Sequence, residues 1–270
     1  VIAAFGAFGY TANKIWQVLK SAKNIDRSDK TGERIKNTLL VAFGQEKILR
    51  KPIAGLLHAL VWWGFLIITI GTLEMIVDGI AGKERVLGFL GYGYNFITAS
   101  GEIFAAIIIA CCAIFLVRRY FVKPKRFIAK EMKPSSKMDA TVILFMIFLL
   151  MVSLIFMNVG TIVHGYHAGY FPISEEIVKT FVTFGNIETF QTIGEVNWWI
   201  HIVLVLLFLN ILPYSKHFHV IMAVPNVFFA RLEPKAKLNS MESITNEVKL
   251  MMNPDTAFAA PPEDAPPPEK

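Results

Sequence analysis

The sequence predicts an all-α fold, an integral membrane bundle of five transmembrane helices with the N-terminus outside and the C-terminus in the cytoplasm. Three observations support this prediction. Of the 270 residues, 54% are apolar and only 18% are charged, whereas a soluble domain has about a quarter charged residues. The apolar residues form runs of about 20, which is the length of helix that crosses a bilayer core. Lysine and arginine are abundant in some connecting segments and nearly absent from others.

Five apolar runs define the predicted helices, covering residues 1 to about 19, 53 to about 77, 98–117, 140 to about 163, and 196 to at least 212. Because lipid offers the backbone no hydrogen-bond partners, runs of this length are expected to be helical. The fifth run leads into Pro213. Proline interrupts helical hydrogen bonding, so the sequence leaves open whether helix continues to about residue 229.

The orientation follows from the lysine and arginine residues of the loops, which favour the cytoplasmic side. Residues 20–51 contain nine of them and residues 118–137 contain eight. The segment between the second and third runs has only Lys83 and Arg85, and the segment between the fourth and fifth has only Lys179. The alternation places the N-terminus outside and the basic loops in the cytoplasm. The net charge of +6 is thereby explained without nucleic acid.

The composition divides the chain into a predicted transmembrane domain, residues 1–230, and a cytoplasmic tail, residues 231–270. Residues 235–252 are polar with scattered apolar positions and are compatible with a short surface helix. The last residues, PDTAFAAPPEDAPPPEK, are rich in proline and acidic side chains, which is typical of an extended linker.

The six histidines are the informative polar residues, because ionisable groups in spans are costly and usually face a bundle interior or a site. His58 lies near the predicted cytoplasmic end of the second run, whereas His164 and His201 lie near the outer ends of the fourth and fifth. His201 and His219 are 18 residues apart, which is five turns of a continuous helix. Such a helix would present both on one face and place His217 on another, at the interface.

The predicted depths of the histidines in the membrane fall into two pairs, which favours haem as the cofactor that they bind. Low-spin haem takes two axial side chains from facing helices. His58 and His219 share one depth, and His201 shares the other with His164 and His167. The absence of CxxCH excludes covalent c-type attachment. A structural zinc site needs four clustered ligands, and the chain offers pairs.

Two motifs, RKPIAGLLHALVWWGF at residues 50–65 and HIVLVLLFLNILPYSKHFHV at residues 201–220, resemble a known family. They are similar to the cytochrome b (gamma) subunit of respiratory nitrate reductase and its relatives among heterodisulfide-reductase-type membrane proteins. The resemblance implies five spans and two stacked b haems.

Carried over residue by residue, the resemblance assigns His58 and His219 to the haem nearer the cytoplasm and His201 to the outer haem. The usual partner of His201, ten residues after His58, is Ile68 here. We expect His164 to supply the missing ligand, with His167 as second candidate. A protein with a single haem is the alternative.

Four further polar residues are candidates for a function. Arg50 and Lys51 precede the second run and are candidates for contacts with haem propionates, or for lipid-facing anchors. Glu74 and Glu102 lie near the outer ends of the second and third runs and are candidates for a quinone site or proton path, or for interfacial carboxylates.

The resemblance therefore implies the membrane subunit of a quinone-linked oxidoreductase in the cytoplasmic (inner) membrane of a bacterium or archaeon. It would move electrons between menaquinone or ubiquinone and cytoplasmic iron–sulfur or flavoprotein partners by way of haem b. Some relatives carry a fused iron–sulfur domain, so we expect such a module beyond the linker or on a partner subunit. The alternative is a haem-free membrane anchor or small transporter with structural histidines.

Overall fold

The computed structural model describes residues 1–23, 25–83, 85–124, 134–165, 168–233 and 241–253. Within these ranges the α-helices are, in chain order, α1 Ile2–Lys20, α2 Thr31–Thr38, α3 Glu46–Leu49, α4 Pro52–Ala81, α5 Tyr92–Val117, α6 Pro134–Val163, α7 Pro172–Phe181, α8 Ile187–Ile211, α9 His219–Phe228 and α10 Glu242–Met252. The described residues include no strand, which confirms the all-α prediction for them. The proline-rich tail and His167 lie outside these ranges.

Four helical stretches are long and apolar enough to cross a membrane: Pro52–Ala81, Tyr92–Val122, Met138–Val163 and Ile187–Tyr214. They contain the second to fifth predicted runs, so the chain has the character of a multi-pass membrane protein. Helix α1 has 19 residues but does not reach the same apolarity, because its second half contains Asn13, Lys14 and Gln17. The five-span count and the direction of insertion therefore stay predictions.

The helices begin earlier than the apolar runs predicted. Helix α5 starts at Tyr92 rather than residue 98, and α8 starts at Ile187 rather than residue 196. The added first turns of α8 contain Glu188 and Glu195, which are exposed. Apolarity marks the part of a helix suited to lipid, and a polar helix end extends beyond it.

The helix does not continue through Pro213. Helix α8 ends at Ile211, a 3₁₀ turn covers Leu212–Tyr214, and Ser215 is extended with ψ 167°. A second 3₁₀ turn leads into α9, which begins at His219. The sequence left open whether a continuous helix aligns His201 with His219 over five turns, and the structure has no such helix, because α8 ends at Ile211 and α9 begins at His219.

The core of the bundle lies between α5 and α6 and consists of Ala105, Ile108, Cys112, Leu150, Met151 and Ile155. Side chains of α4 and α8 pack against it from either side, among them Val61, Ile68, Leu204 and Phe208. Helices α6 and α8 touch through their backbones where Gly160 meets Gly194. A Cβ added to Gly194 would lie 2.3 Å from the Cα of Gly160, so only glycine permits this crossing.

The segment after Pro213 is held by the N-terminal part of the chain. The Thr11 and Tyr214 hydroxyls are 2.9 Å apart, which joins α1 to the end of α8. The guanidinium of Arg34, on α2, is 3% exposed and donates to the carbonyls of Phe228 and Ala230 at the end of α9. A cation there satisfies carbonyls that the helix leaves unpaired.

By internal contacts the chain divides into two compact units, Val1–Ala230 and Arg231–Lys270. The described part of the second unit contains an ion pair between Arg231 and Glu233, 2.9 Å long, and the amphipathic helix α10.

Candidate functional site

His58 and His219 face each other at the start of α4 and α9. Their ring centroids are 6.1 Å apart and the ring planes differ by 22°. An iron atom bound by two imidazoles, each through a bond of about 2 Å, would separate the ring centroids by about 6 Å. The centroid spacing of this pair is therefore compatible with two axial ligands of one haem, which bind iron through Nε2 lone pairs that lie in the ring planes. The structure brings together the two histidines that the sequence assigned to the cytoplasmic-side site, although the chain between His201 and His219 is not one helix.

The tautomer of His219 is fixed by its backbone. Its Nδ1 lies 2.7 Å from the carbonyl oxygen of Lys216, in the 3₁₀ turn that precedes α9. A carbonyl only accepts, so Nδ1 carries the proton and donates it. Nε2 then keeps a free lone pair, which is the arrangement found in metal-binding histidines.

His217 lies beside this pair, with its ring centroid 5.4 Å from that of His219. Burial, and secondarily the neighbouring His219, lowers the pKa of His217 to about 4. Its Nδ1 is buried without a hydrogen-bond partner among the described residues. His217 is therefore a neutral, half-buried neighbour of the pair, and its place at the membrane interface stays a prediction.

Arg50 and Lys51 flank the start of α4 and are exposed. A side-chain nitrogen of Arg50 lies 3.5 Å from a Glu46 carboxylate oxygen, a long and exposed ion pair. His58 lies six residues after Pro52, or about 9 Å further along the helix axis. A role for either residue as a propionate contact stays a prediction.

A cavity of about 690 Å³ lies between α4, α5, α6 and α8, towards the opposite end of these helices. Four of the predicted site residues line it, namely Glu74, Glu102, His164 and His201. Ile68 also lines it, ten residues after His58, or about 15 Å along the axis of α4. The cavity is in the size range of small-molecule sites, which are mostly apolar with a few polar groups.

His201 is almost fully buried, at 2% exposure. Its Nδ1 lies 3.0 Å from the carbonyl oxygen of Leu150 and 3.0 Å from the hydroxyl of Ser153. Since a carbonyl cannot donate, Nδ1 carries the proton, and the Ser153 hydroxyl is free to donate to the same carbonyl at 2.9 Å. The Nε2 of His201 is therefore the nitrogen with a free lone pair.

His164 lies just beyond the end of α6 and its side chain is 33% exposed. Its Nε2 is 3.6 Å from a carboxylate oxygen of Glu195. Among the ring contacts of the described residues, His164 and His201 do not form a pair like that of His58 and His219. As the side chains stand, His164 contacts Glu195, and its pairing with His201 as axial ligands of a second haem stays a prediction.

Glu102, a predicted quinone or proton-path residue, holds the start of α7. It is 1% exposed and accepts hydrogen bonds from the backbone N–H groups of Ile173 and Ser174, at 2.8 and 3.2 Å. The Ser174 hydroxyl and the Asn158 amide also donate to it. Phe171 precedes α7 and offers no capping side chain. The absence of Ser, Thr, Asp or Asn at the start of α7 was the signal in the sequence that a distant side chain satisfies the first N–H groups of this helix.

Glu74 fixes the segment between α4 and α5. Its carboxylate accepts from the backbone N–H of Leu87 and from the Tyr94 hydroxyl, both at 3.1 Å. Tyr94 in turn accepts from Arg85 at 3.0 Å. Glu74, which the sequence made a candidate for a quinone site or proton path, therefore stabilises the structure at one side of the cavity.

Within the described ranges, no three His, Cys, Asp or Glu side chains are grouped so as to hold a bare metal ion. The histidines occur as a facing pair and as single residues. A pair of axial ligands is the kind of metal binding that the described geometry accommodates.

Two curated proteins are similar to this chain. One is the probable iron-sulfur-binding oxidoreductase FadF of Bacillus subtilis, 30% identical over 218 residues, which are 80% of this chain and 30% of the relative. The other is the EtfAB:quinone oxidoreductase of Syntrophomonas wolfei, 23% identical over 234 residues, which are 83% of this chain and 31% of the relative. The chain thus spans about a third of the length of the curated relatives it matches.

No family model matches the chain, and no solved structure matches it. Neither relative is named as a nitrate reductase gamma subunit or a heterodisulfide reductase, so that finer resemblance stays a prediction. The chain is a helical, membrane-type segment homologous to about a third of two larger oxidoreductases.

Proposed function

We propose that this chain is the membrane-embedded part of a quinone-linked oxidoreductase, and that it carries one b-type haem between His58 and His219. The spacing of these two rings, 6.1 Å between centroids, is the observation that supports the haem most directly. The tautomer of His219 also supports the proposal, because the Lys216 carbonyl holds the proton on Nδ1 and leaves the lone pair of Nε2 free to bind iron.

The chain's own contribution to electron transfer is to hold the two imidazoles. His58 is placed by the second turn of α4, and His219 by the 3₁₀ turn and by the capping of α9 by Arg34. When bound, haem supplies a one-electron redox centre, and the protein fixes its ligands and surroundings. A neutral His217 beside the pair adds no charge to that environment.

The names of the relatives support the substrate and the partners that we propose. One relative is named a quinone oxidoreductase and the other an iron-sulfur-binding oxidoreductase. We place a quinone at the cavity end of the bundle. We place an iron–sulfur or flavoprotein partner at the opposite end, near His58, which is the predicted cytoplasmic end. We further propose that an iron–sulfur module lies outside this sequence, and that the membrane is the cytoplasmic membrane of a bacterium or archaeon. The second haem, at His201 with His164, remains a prediction of the sequence.

The test is the spectrum of the purified full chain from haem-replete cells. Dithionite-reduced minus oxidised spectra should show a b-type α band, and acid acetone should extract the pigment, because no CxxCH anchors it. His58→Ala and His219→Ala should each remove the same spectral component. His217→Ala is the matched control, since it alters a neighbouring ring that is not assigned to the iron. A folded but colourless wild-type protein would contradict the proposal and favour the haem-free anchor or transporter.

A further inference from the structure

We infer that Asp139, on α6, is a positioning residue of the haem site. Its carboxylate holds the turn whose carbonyl oxygen orients His219, and it thereby sets the orientation of this imidazole relative to that of His58. The inference rests on the proposed haem between the two histidines and adds a residue outside the pair itself.

The first step is that the position of His219 depends on the 3₁₀ turn before it. The His219 side chain is exposed, so packing alone does not hold its ring in place. Its Nδ1 donates to the carbonyl oxygen of Lys216, 2.7 Å away. A shift of the Lys216 backbone would therefore also shift the ring, and would change the 22° between its plane and that of His58.

The second step is to find what holds this turn, and the backbone N–H groups of residues 215–218 show it. Three of them donate to acceptors within residues 212–215, so they bond locally. The fourth, that of Lys216, donates to a carboxylate oxygen of Asp139 at 3.1 Å. The turn is thus joined to another helix through the same residue whose carbonyl orients His219.

The third step is that the ordinary role of such a carboxylate does not account for Asp139. An acidic side chain near the start of a helix stabilises the helix dipole, but that effect fades within the first turn. Asp139 is the sixth residue of α6, beyond the first turn. The same helix contributes Leu150, Met151 and Ile155 to the core, so it is a firm support for a turn that is itself at the surface.

The experiment first changes the acceptor of this hydrogen bond. Asp139→Ala deletes it, whereas Asp139→Asn keeps an acceptor oxygen and removes only the charge. The full chain is purified with haem in lipid nanodiscs, and the rate of haem loss to excess apomyoglobin is measured. The EPR spectrum of the ferric haem is the second readout, because its g-values depend on the relative orientation of the two imidazoles.

We expect Asp139→Ala to lose haem at least about fivefold faster than the wild type, the effect of one hydrogen bond, and to have shifted g-values. Asp139→Asn should behave nearly as the wild type in both measurements. Glu33→Ala is the matched control, since it removes an exposed carboxylate from the first turn of α2, and it should change neither.

The donor is then removed at Lys216, the first residue of the second 3₁₀ turn. Lys216→Pro deletes the N–H and suits the backbone, because proline favours the first helical position and Ser215 before it is extended, with φ −100° and ψ 167°. Lys216→Ala keeps the N–H and controls for the loss of the side chain. We expect Lys216→Pro to reproduce the effect of Asp139→Ala, and the double variant to lose haem no faster than either. This pair decides the matter should Asp139→Ala fail to fold.

Haem loss and g-values like those of the wild type in either Asp139→Ala or Lys216→Pro would overturn the inference and leave the proposed haem site standing. Equal changes in Asp139→Asn and Asp139→Ala would also overturn it, because the charge rather than the hydrogen bond would then be responsible. A wild type without any haem would instead contradict the proposed function, and this inference with it.

Discussion

The two ends of the bundle each present a histidine with a free Nε2, but they differ in what faces it. At one end His219 faces a second imidazole at 6.1 Å, and at the other end His201 faces a cavity of about 690 Å³. In both cases a backbone carbonyl fixes the proton on Nδ1. On the proposed function, the residue that faces each histidine therefore distinguishes the haem end from the cavity end.

The largest effect is expected from the glycine contact that shapes the cavity end. Gly194→Leu should push α6 away from α8, since even a Cβ would lie 2.3 Å from the Cα of Gly160. We expect a loss of about 3 kcal/mol or more of stability, seen as little folded protein in size-exclusion chromatography. Gly71→Ala, in the same cavity, has no atom within 4 Å of the added Cβ and should be nearly neutral. Equal yields of the two variants would show that the close crossing of α6 and α8 does not hold the bundle together.

The next effect separates the two ends of the bundle. His58→Ala should remove the haem, because it deletes one of two facing ligands, whereas His164→Ala should leave the haem spectrum intact. Absorbance of the Soret band relative to protein measures both. Loss of absorbance in His164→Ala would mean that the cavity end also binds haem and that the distinction between the ends is wrong.

A smaller effect is expected at Glu102, whose carboxylate caps α7. Glu102→Gln replaces an all-acceptor group with one that also carries donors, while its partners at Ile173, Ser174 and Asn158 all donate. We expect the free energy of unfolding to fall by about 1.5–3 kcal/mol, which would appear as a lower midpoint of thermal unfolding. Glu188→Gln is the exposed control and should change the midpoint little. An unchanged midpoint in Glu102→Gln would show that α7 does not depend on this cap.

The smallest effect is expected at Ser153, which shares the Nδ1 of His201 with the Leu150 carbonyl. Ser153→Ala removes one hydrogen bond but leaves the carbonyl that fixes the tautomer. The affinity of the full chain for a quinol, measured by calorimetry under anaerobic conditions, should fall by no more than about threefold. If binding falls as far as in His201→Phe, the hydroxyl rather than the carbonyl sets the tautomer.

The sequence predicted four apolar helices of membrane-spanning length because lipid imposes one requirement, an apolar helix of fixed length, whereas the fifth span stays a prediction. It predicted the facing of His58 and His219 from their shared depth and from a family resemblance. The sequence left open whether the helix continues past Pro213, and the structure ends it there, since a 3₁₀ turn covers Leu212–Tyr214 and Ser215 is extended. Local irregularity of this kind changes which face a residue presents without changing its depth.

The hydrogen bonds of Glu74 and Glu102 could not be predicted from the pattern of apolar spans and polar loops. Glu102 lies about 70 positions before the helix it caps, and such a contact depends on how α5, α6 and α7 pack. Glu74 similarly fixes Leu87 and Tyr94 across a turn. Both residues were found as polar groups in apolar surroundings, and only the packing shows which donors they satisfy.

The central claim is that the two ends differ, with haem at one and a quinol cavity at the other. The most direct test is the haem content per chain, by pyridine haemochrome and quantitative protein analysis, of the wild type, His58→Ala and His201→Phe. The account predicts about one haem per chain in the wild type and in His201→Phe, and none in His58→Ala. Two haems per chain in the wild type, with one lost in His201→Phe, would contradict it.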